Sequence, residues 1–194
     1  MTLPSVSARA LIACTCAATL LLAACSTATP TVAPSSRASA ASTPTLAPEP
    51  FAGNGFRTNI PAGWENQSTN QNAVASVSGT GTVLMLLASP DHGTIVVSTT
   101  PQPVGADQFA QYLTSIVPPG ATQVSQAETV DVDGDSGVLD TFVGGNPGVA
   151  AGETEEMVVN QAGNTYELIL STAQADFAGD SAGLQEILDS WSWA

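Results

Sequence analysis

Beyond residue 50 the chain falls into short apolar runs separated by turn-forming clusters, at the spacing of strands and hairpins. Phe56 to Ile60 reads as a strand stopped by Pro61-Ala62-Gly63, a turn that delivers Trp64. Thr82 to Ala88 contains Val83-Leu84-Met85-Leu86-Leu87, and Thr94 to Ser98 contains Ile95-Val96-Val97. Both are apolar on both parities, the pattern of strands covered on both faces, so a sheet with a layer on each side is expected. A helix follows from near Asp107, where Phe109, Tyr112, Leu113, Ile116 and Val117 recur at steps of three and four until Pro118-Pro119-Gly120 ends it. Four more strands are expected at Thr122 to Val130, Gly137 to Val143, Glu153 to Asn160 and Thr165 to Ser171. Turns such as Asp133-Gly134 and Ala162-Gly163-Asn164 make them hairpins of a mainly antiparallel sheet. A last helix from near Asp180 aligns Leu184, Ile187, Leu188 and Trp191. The expected order is three strands, helix, four strands, helix: an α+β domain over 51–194, large enough for one core burying roughly 68–70% of its unfolded surface.

The first fifty residues follow a different pattern. Arg9 is the only charge ahead of an apolar run from Leu11 to Leu22, which closes on Ala23-Ala24-Cys25. The run is shorter than the roughly 18 residues that cross a hydrocarbon core, and reads as a signal peptide over 1–24. Its ending, Leu22-Ala23-Ala24-Cys25, resembles the bacterial lipobox. The resemblance implies diacylglyceryl transfer to the Cys25 thiol and cleavage between Ala24 and Cys25, placing the protein on the outer face of the cell membrane. Two or three acyl chains, at about 0.8 kcal/mol per buried methylene, hold a protein stably without a second membrane signal. From Ser26 to Pro50 the chain is almost wholly Ser, Thr, Ala and Pro, with five prolines and no aromatic residue. Such a segment buries too little to fold, so 25–50 is expected to be a lipidated tether, reaching at most about 75 Å at about 3.1 Å per residue.

Charge narrows the partners. The chain has seventeen acidic residues, three arginines and no lysine, and loss of Arg9 would take its formal net charge from −14 to −15. That surface repels nucleic acid and anionic headgroups. Missing lysine beside 17 glycines and 13 prolines suggests a GC-rich, actinobacterial genome. Of Cys14, Cys16 and Cys25, the first two leave with the signal and the third is taken by lipid. No thiol remains for a disulfide, a thiolate metal site or thiol catalysis.

The candidate chemical motifs have plainer readings. Asp131-Val132-Asp133-Gly134-Asp135 begins like a calcium loop, but positions six and twelve, glycine and glutamate in an EF-hand, are Ser136 and Phe142. It reads as a hairpin turning on Asp133-Gly134. Glu153, Glu155 and Glu156 read as a solvated strand edge, with Glu153 and Glu155 on one face and Glu156 on the other. His92, the only histidine, reads as a loop tip, with no Gly-x-Ser-x-Gly elbow to make it part of a triad. Gly144-Gly145-Asn146-Pro147-Gly148 lacks the Lys-Ser/Thr of a phosphate loop, and Gly144 to Gly152 reads as a mobile loop. Neither a metal nor a cofactor is expected.

Two segments carry a family likeness: Gly55-Phe56-Arg57-Thr58-Asn59-Ile60-Pro61-Ala62-Gly63-Trp64 and Ile187-Leu188-Asp189-Ser190-Trp191-Ser192-Trp193. With the element order, they resemble the PsbP-like α/β sandwich, and within it the LpqN/LpqT-type lipoproteins of mycobacteria and their relatives. The resemblance implies an accessory or interaction module and carries no catalytic motif onto this chain. Trp64 and Trp191 are expected to be core anchors. The function expected is a tethered, non-enzymatic binding or accessory module for envelope or host proteins. The alternative is a carrier of an envelope lipid, which needs an apolar cavity of about 300–1,000 Å³ between helix and sheet.

Overall fold

The chain opens its described part with β1 (Glu49–Ala52), β2 (Phe56–Ile60), β3 (Glu65–Asn66), α1 (Gln71–Val77), β4 (Thr82–Ala88) and β5 (Thr94–Thr100). A single 3-10 turn leads into α2 (Phe109–Ile116), followed by β6 (Ala121–Gln123), β7 (Glu128–Val132), β8 (Asp135–Gly144), β9 (Gly152–Gln161) and β10 (Asn164–Ala173). α3 (Phe177–Asp189) and β11 (Ser192–Trp193) close it. The structure is a computed structural model and describes residues 47–77, 81–117, 120–144 and 152–194. Ala24, Cys25, the signal and the tether as far as residue 46 lie outside the described residues, as does most of the Gly144 to Gly152 loop.

The main sheet runs β3-β4-β5-β10-β9-β8-β6, with β7 also on β8, and the smaller sheet runs β1-β2-β11. All pairings are antiparallel. The period-two side-chain rule sorts the main sheet into two faces. One face presents Met85, Leu87, Ile95, Val97, Met157, Val159, Leu168 and Leu170 to the small sheet and to Leu184 and Ile187 of α3. On the other, Phe142 and Val158 pack against Phe109 and Leu113 of α2. The expectation of a layer on each side is met at β8 and β9, where α2 lies on the face opposite α3 and the small sheet.

The two segments that carry the family likeness meet in space. Phe56 and Arg57 of β2 pair with Trp193 and Ser192 of β11, joining the ends of the domain in one layer. Thr58 Oγ1 donates to Ile187 O at 2.8 Å, and the backbone N–H of Asn59 donates to Ser190 Oγ at 3.0 Å, which ties β2 to the end of α3. Trp64 lies over Gly183 of α3, where an added Cβ would meet the indole at 2.8 to 3.0 Å. Glycine is there because the helix and the ring come into contact.

Several elements differ from the sequence reading. The strand expected over Thr122 to Val130 is two, β6 and β7, laid end to end along one edge of β8. At the junction Gln123 and Ser125 both donate to Asp140. α3 starts at Phe177 rather than near Asp180, which sits inside the first turn with its carboxylate accepting from Thr172 Oγ1 at 2.6 Å. β1 includes Glu49 and Pro50, the last two residues of the segment read as tether, in register with Ile60 and Asn59. β1, β3, α1 and β11 are too short or too polar to show a period. α2 ends as expected: Val117, just before Pro118, is extended at φ −63, ψ 149, the conformation proline imposes on its predecessor.

Candidate functional site

Three carboxylates share the α2-side face of the main sheet. Asp140 on β8 and Glu156 on β9 are direct cross-strand partners. Glu167 on β10 is paired with Val158, two residues from Glu156, and so is its diagonal neighbour. Asp140 and Glu156 are each 2% exposed and Glu167 is 6% exposed. Asp140 accepts from Gln123, Ser125 and the backbone N–H of Thr141. Glu167 accepts from the Tyr112 hydroxyl of α2 and from Ser98 Oγ at 3.3 Å. Glu156 differs, because its Oε2 is buried with no hydrogen-bond partner.

A buried carboxylate without a partner favours its neutral form. Burial, then the charges of Glu167 and Asp140, push Glu156 up to about 8. The Tyr112 hydroxyl is raised well above its usual value by burial, by donation to Glu167 and by that group's charge. On the opposite face Glu155 is also raised, chiefly by burial, with the hydrogen bond from Ser181 at 2.7 Å opposing the shift. The reading of Glu153, Glu155 and Glu156 as a solvated edge is therefore corrected. β9 is interior, between β8 and β10, and Glu156 is among the most buried residues. The parity reading holds, since Glu155 faces α3 and Glu156 faces α2.

The other sequence candidates are dispersed. Asp133 and Gly134, at φ 50 and φ 89, make the tight turn between β7 and β8. Its function there is structural: Asp133 Oδ2 accepts from the backbone N–H of Trp193 at 2.9 Å, and Val132 O accepts from Trp193 Nε1 at 3.0 Å. His92 is exposed at the tip of the β4–β5 turn, at φ 69. Among the described residues no three His, Cys, Asp or Glu side chains are placed to hold a metal ion. Trp191 is 5% exposed and packs in the core, as expected, with Trp64 partly buried against it.

No family model matches the chain, and neither does any curated protein. Solved structures do. A cyanobacterial PsbP, CyanoP from Synechocystis sp. PCC 6803, is 16% identical with a TM-score of 0.52, over 76% of this chain and 92% of that one. LpqN, described as involved in cell envelope biogenesis of Mycobacterium tuberculosis, is 11% identical with a TM-score of 0.55, over 76% of this chain and 91% of that one. The domain has the PsbP-like fold. At these identities the likeness is one of architecture.

Within that PsbP-like frame, the space between α2 and the sheet is filled by Phe109, Leu113, Phe142 and Val158, each 3% exposed or less. A cleft of about 500 Å³ opens beside α2 instead, lined by Gln102, Val104, Gln108, Gln111 and Tyr112. Its lining is mixed, with Pro103 and Val104 beside the glutamines. A smaller cavity of about 200 Å³ brings Glu167 and Ser98 together with Val83, Val96 and Ile169. Among the described residues no helix is long and apolar enough to cross a membrane.

Proposed function

We propose that the protein is a lipid-anchored module on the outer face of the cell membrane, which recruits an envelope or host protein without catalysing a reaction. The observation that carries this reading is Leu22-Ala23-Ala24-Cys25, followed by a Ser/Thr/Ala/Pro segment that leads into a separately folded sandwich. The fold supports it, since LpqN shares that architecture and is described as taking part in cell envelope biogenesis. The acidic balance supports it too: outside the anchor, Arg57 is the only arginine of the folded part, so the domain is repelled by anionic headgroups and stands off the membrane.

Fractionation of cells expressing the full chain tests the anchor. The wild type is expected in the membrane fraction, released by detergent and labelled by a clickable fatty acid, and Cys25→Ala is expected unlabelled in the medium. Recovery of the unaltered chain as an unlabelled soluble protein would remove the reading. Crosslinking on intact cells, with Cys25→Ala as control, then tests for a protein partner that depends on the tethered position.

A further inference from the structure

Glu156 stands out because the fold supplies everything around it except a counter-charge. Three strands bring Asp140, Glu156 and Glu167 onto one face, and α2 covers them with Phe109, Leu113 and Tyr112. β8 contributes Asp140, β10 contributes Glu167 and α2 contributes Tyr112. β6 and β5 contribute the neutral Gln123 and Ser98. Arg57, the one arginine among the described residues, is exposed on the other sheet. The donors of the cluster, Tyr112 and Ser98 on Glu167 and Gln123 and Ser125 on Asp140, are already engaged, and a proton on the unpartnered Glu156 Oε2 turns that atom into a donor toward the carboxylates around it.

We infer that Asp140, Glu156 and Glu167 form a proton-operated latch for α2, closed while Glu156 holds a proton and opened by its loss. Protonated, Glu156 is neutral and able to donate to a neighbouring carboxylate. Deprotonated, it places three negative charges under one helix with no cation to offset them. α2 is the layer that can give way, because it is eight residues long and its one polar tie to the cluster is the Tyr112 hydroxyl on Glu167. Opening would bring Phe142 and Val158 to the surface, an apolar patch of the kind that engages a partner.

The sign follows from linkage. A solvated Glu156 titrates near 4.5 and the buried one near 8. Between those values the open state has lost its proton while the closed state retains it, so opening becomes easier as pH rises, by up to about tenfold per pH unit. Below the window both states are protonated and above it both are ionised, and the dependence flattens.

Hydrogen exchange on the full chain from pH 5 to 8, corrected for intrinsic exchange rates, reads this directly. The α2 amides are expected to open more readily than those of α3, with an opening constant that climbs up to tenfold per unit, and Glu156→Gln is expected to abolish the climb. If Glu156→Gln does not fold, Glu167→Gln serves, and is expected to end the climb at a lower pH. The latch is overturned if the α2 opening constant is independent of pH, if α2 and α3 open together at every pH, if the climb persists in Glu156→Gln, or if it ends at the wild-type pH in Glu167→Gln.

Discussion

The rings of Phe56 and Trp191 lie parallel, 3° apart in plane and 4.1 Å between centroids, and they join the first strand of the domain's core to the residue just past its last helix. Phe56 is fully buried and Trp191 nearly so. Trp191→Ala removes one half of that stack and leaves a cavity, so it is expected to cost about 3–5 kcal/mol. Trp191→Phe retains a ring and removes an indole N–H that has no hydrogen-bond partner, so it is expected to cost well under half as much. Urea unfolding midpoints for the two variants provide the comparison. Equal losses would mean that a ring at this position, stacked on Phe56, contributes nothing measurable.

Gly93 is required by contact. A Cβ there would lie 2.1 Å from Asp180 Oδ2 and 2.8 Å from Asp180 Cγ. Asp180 is 5% exposed and held by the Thr172 hydroxyl, so it has little room to withdraw. Gly93→Ala is expected to destabilise by about 1–3 kcal/mol, the usual effect of overpacking. A thermal unfolding midpoint unchanged from wild type would refute the prediction.

Tyr112→Phe deletes the hydroxyl that donates to Glu167 while retaining the ring. Glu167 is left with Ser98 at 3.3 Å as its side-chain donor, and a buried acceptor that loses a partner typically costs about 1–3 kcal/mol. The loss should be read from denaturant midpoints at pH 7. If Tyr112→Phe matches wild type there, the hydroxyl contributes nothing to seating α2.

Glu156 also sets a pH dependence for the whole fold. Its folded value, about 8, lies above the ordinary 4.5, so its contribution is fully present below about 4.5 and is lost as pH rises toward about 8. Glu155 is shifted in the same direction. The melting temperature is therefore expected to fall on going from pH 5 to pH 8, and to fall less in Glu156→Gln. A melting temperature that rises over that interval in the wild type would contradict the assignment.

The large pieces of this architecture are legible in the chain because hydrophobic period reports burial. β4 reads as covered on both faces from Val83-Leu84-Met85-Leu86-Leu87, and α2 reads from the steps between Phe109, Leu113 and Ile116. The acid cluster is not legible, because it depends on register. Glu156 heads the run Met157-Val158-Val159, and Glu167 sits between Tyr166 and Leu168. A carboxylate set in an apolar strand is the available signal, but only the pairing of β8, β9 and β10 shows that the three side chains meet. The short strand β11 escapes notice for a related reason: its partner lies more than a hundred residues away, and two residues carry no period.

β1 has a mechanical consequence. Of its four residues only Phe51 is half-buried, and the strand is held at the outer edge of the small sheet by β2 alone. If the chain is moored through Cys25, any pull on the domain reaches β1 first, at Glu49. Peeling that strand away from β2 frees Glu49 to Gly55, a segment about 23 Å long when extended at roughly 3.3 Å per residue, while Phe56 remains seated in the core. The edge strand then works as a shock absorber, lengthening the mooring under load before the sandwich itself is strained.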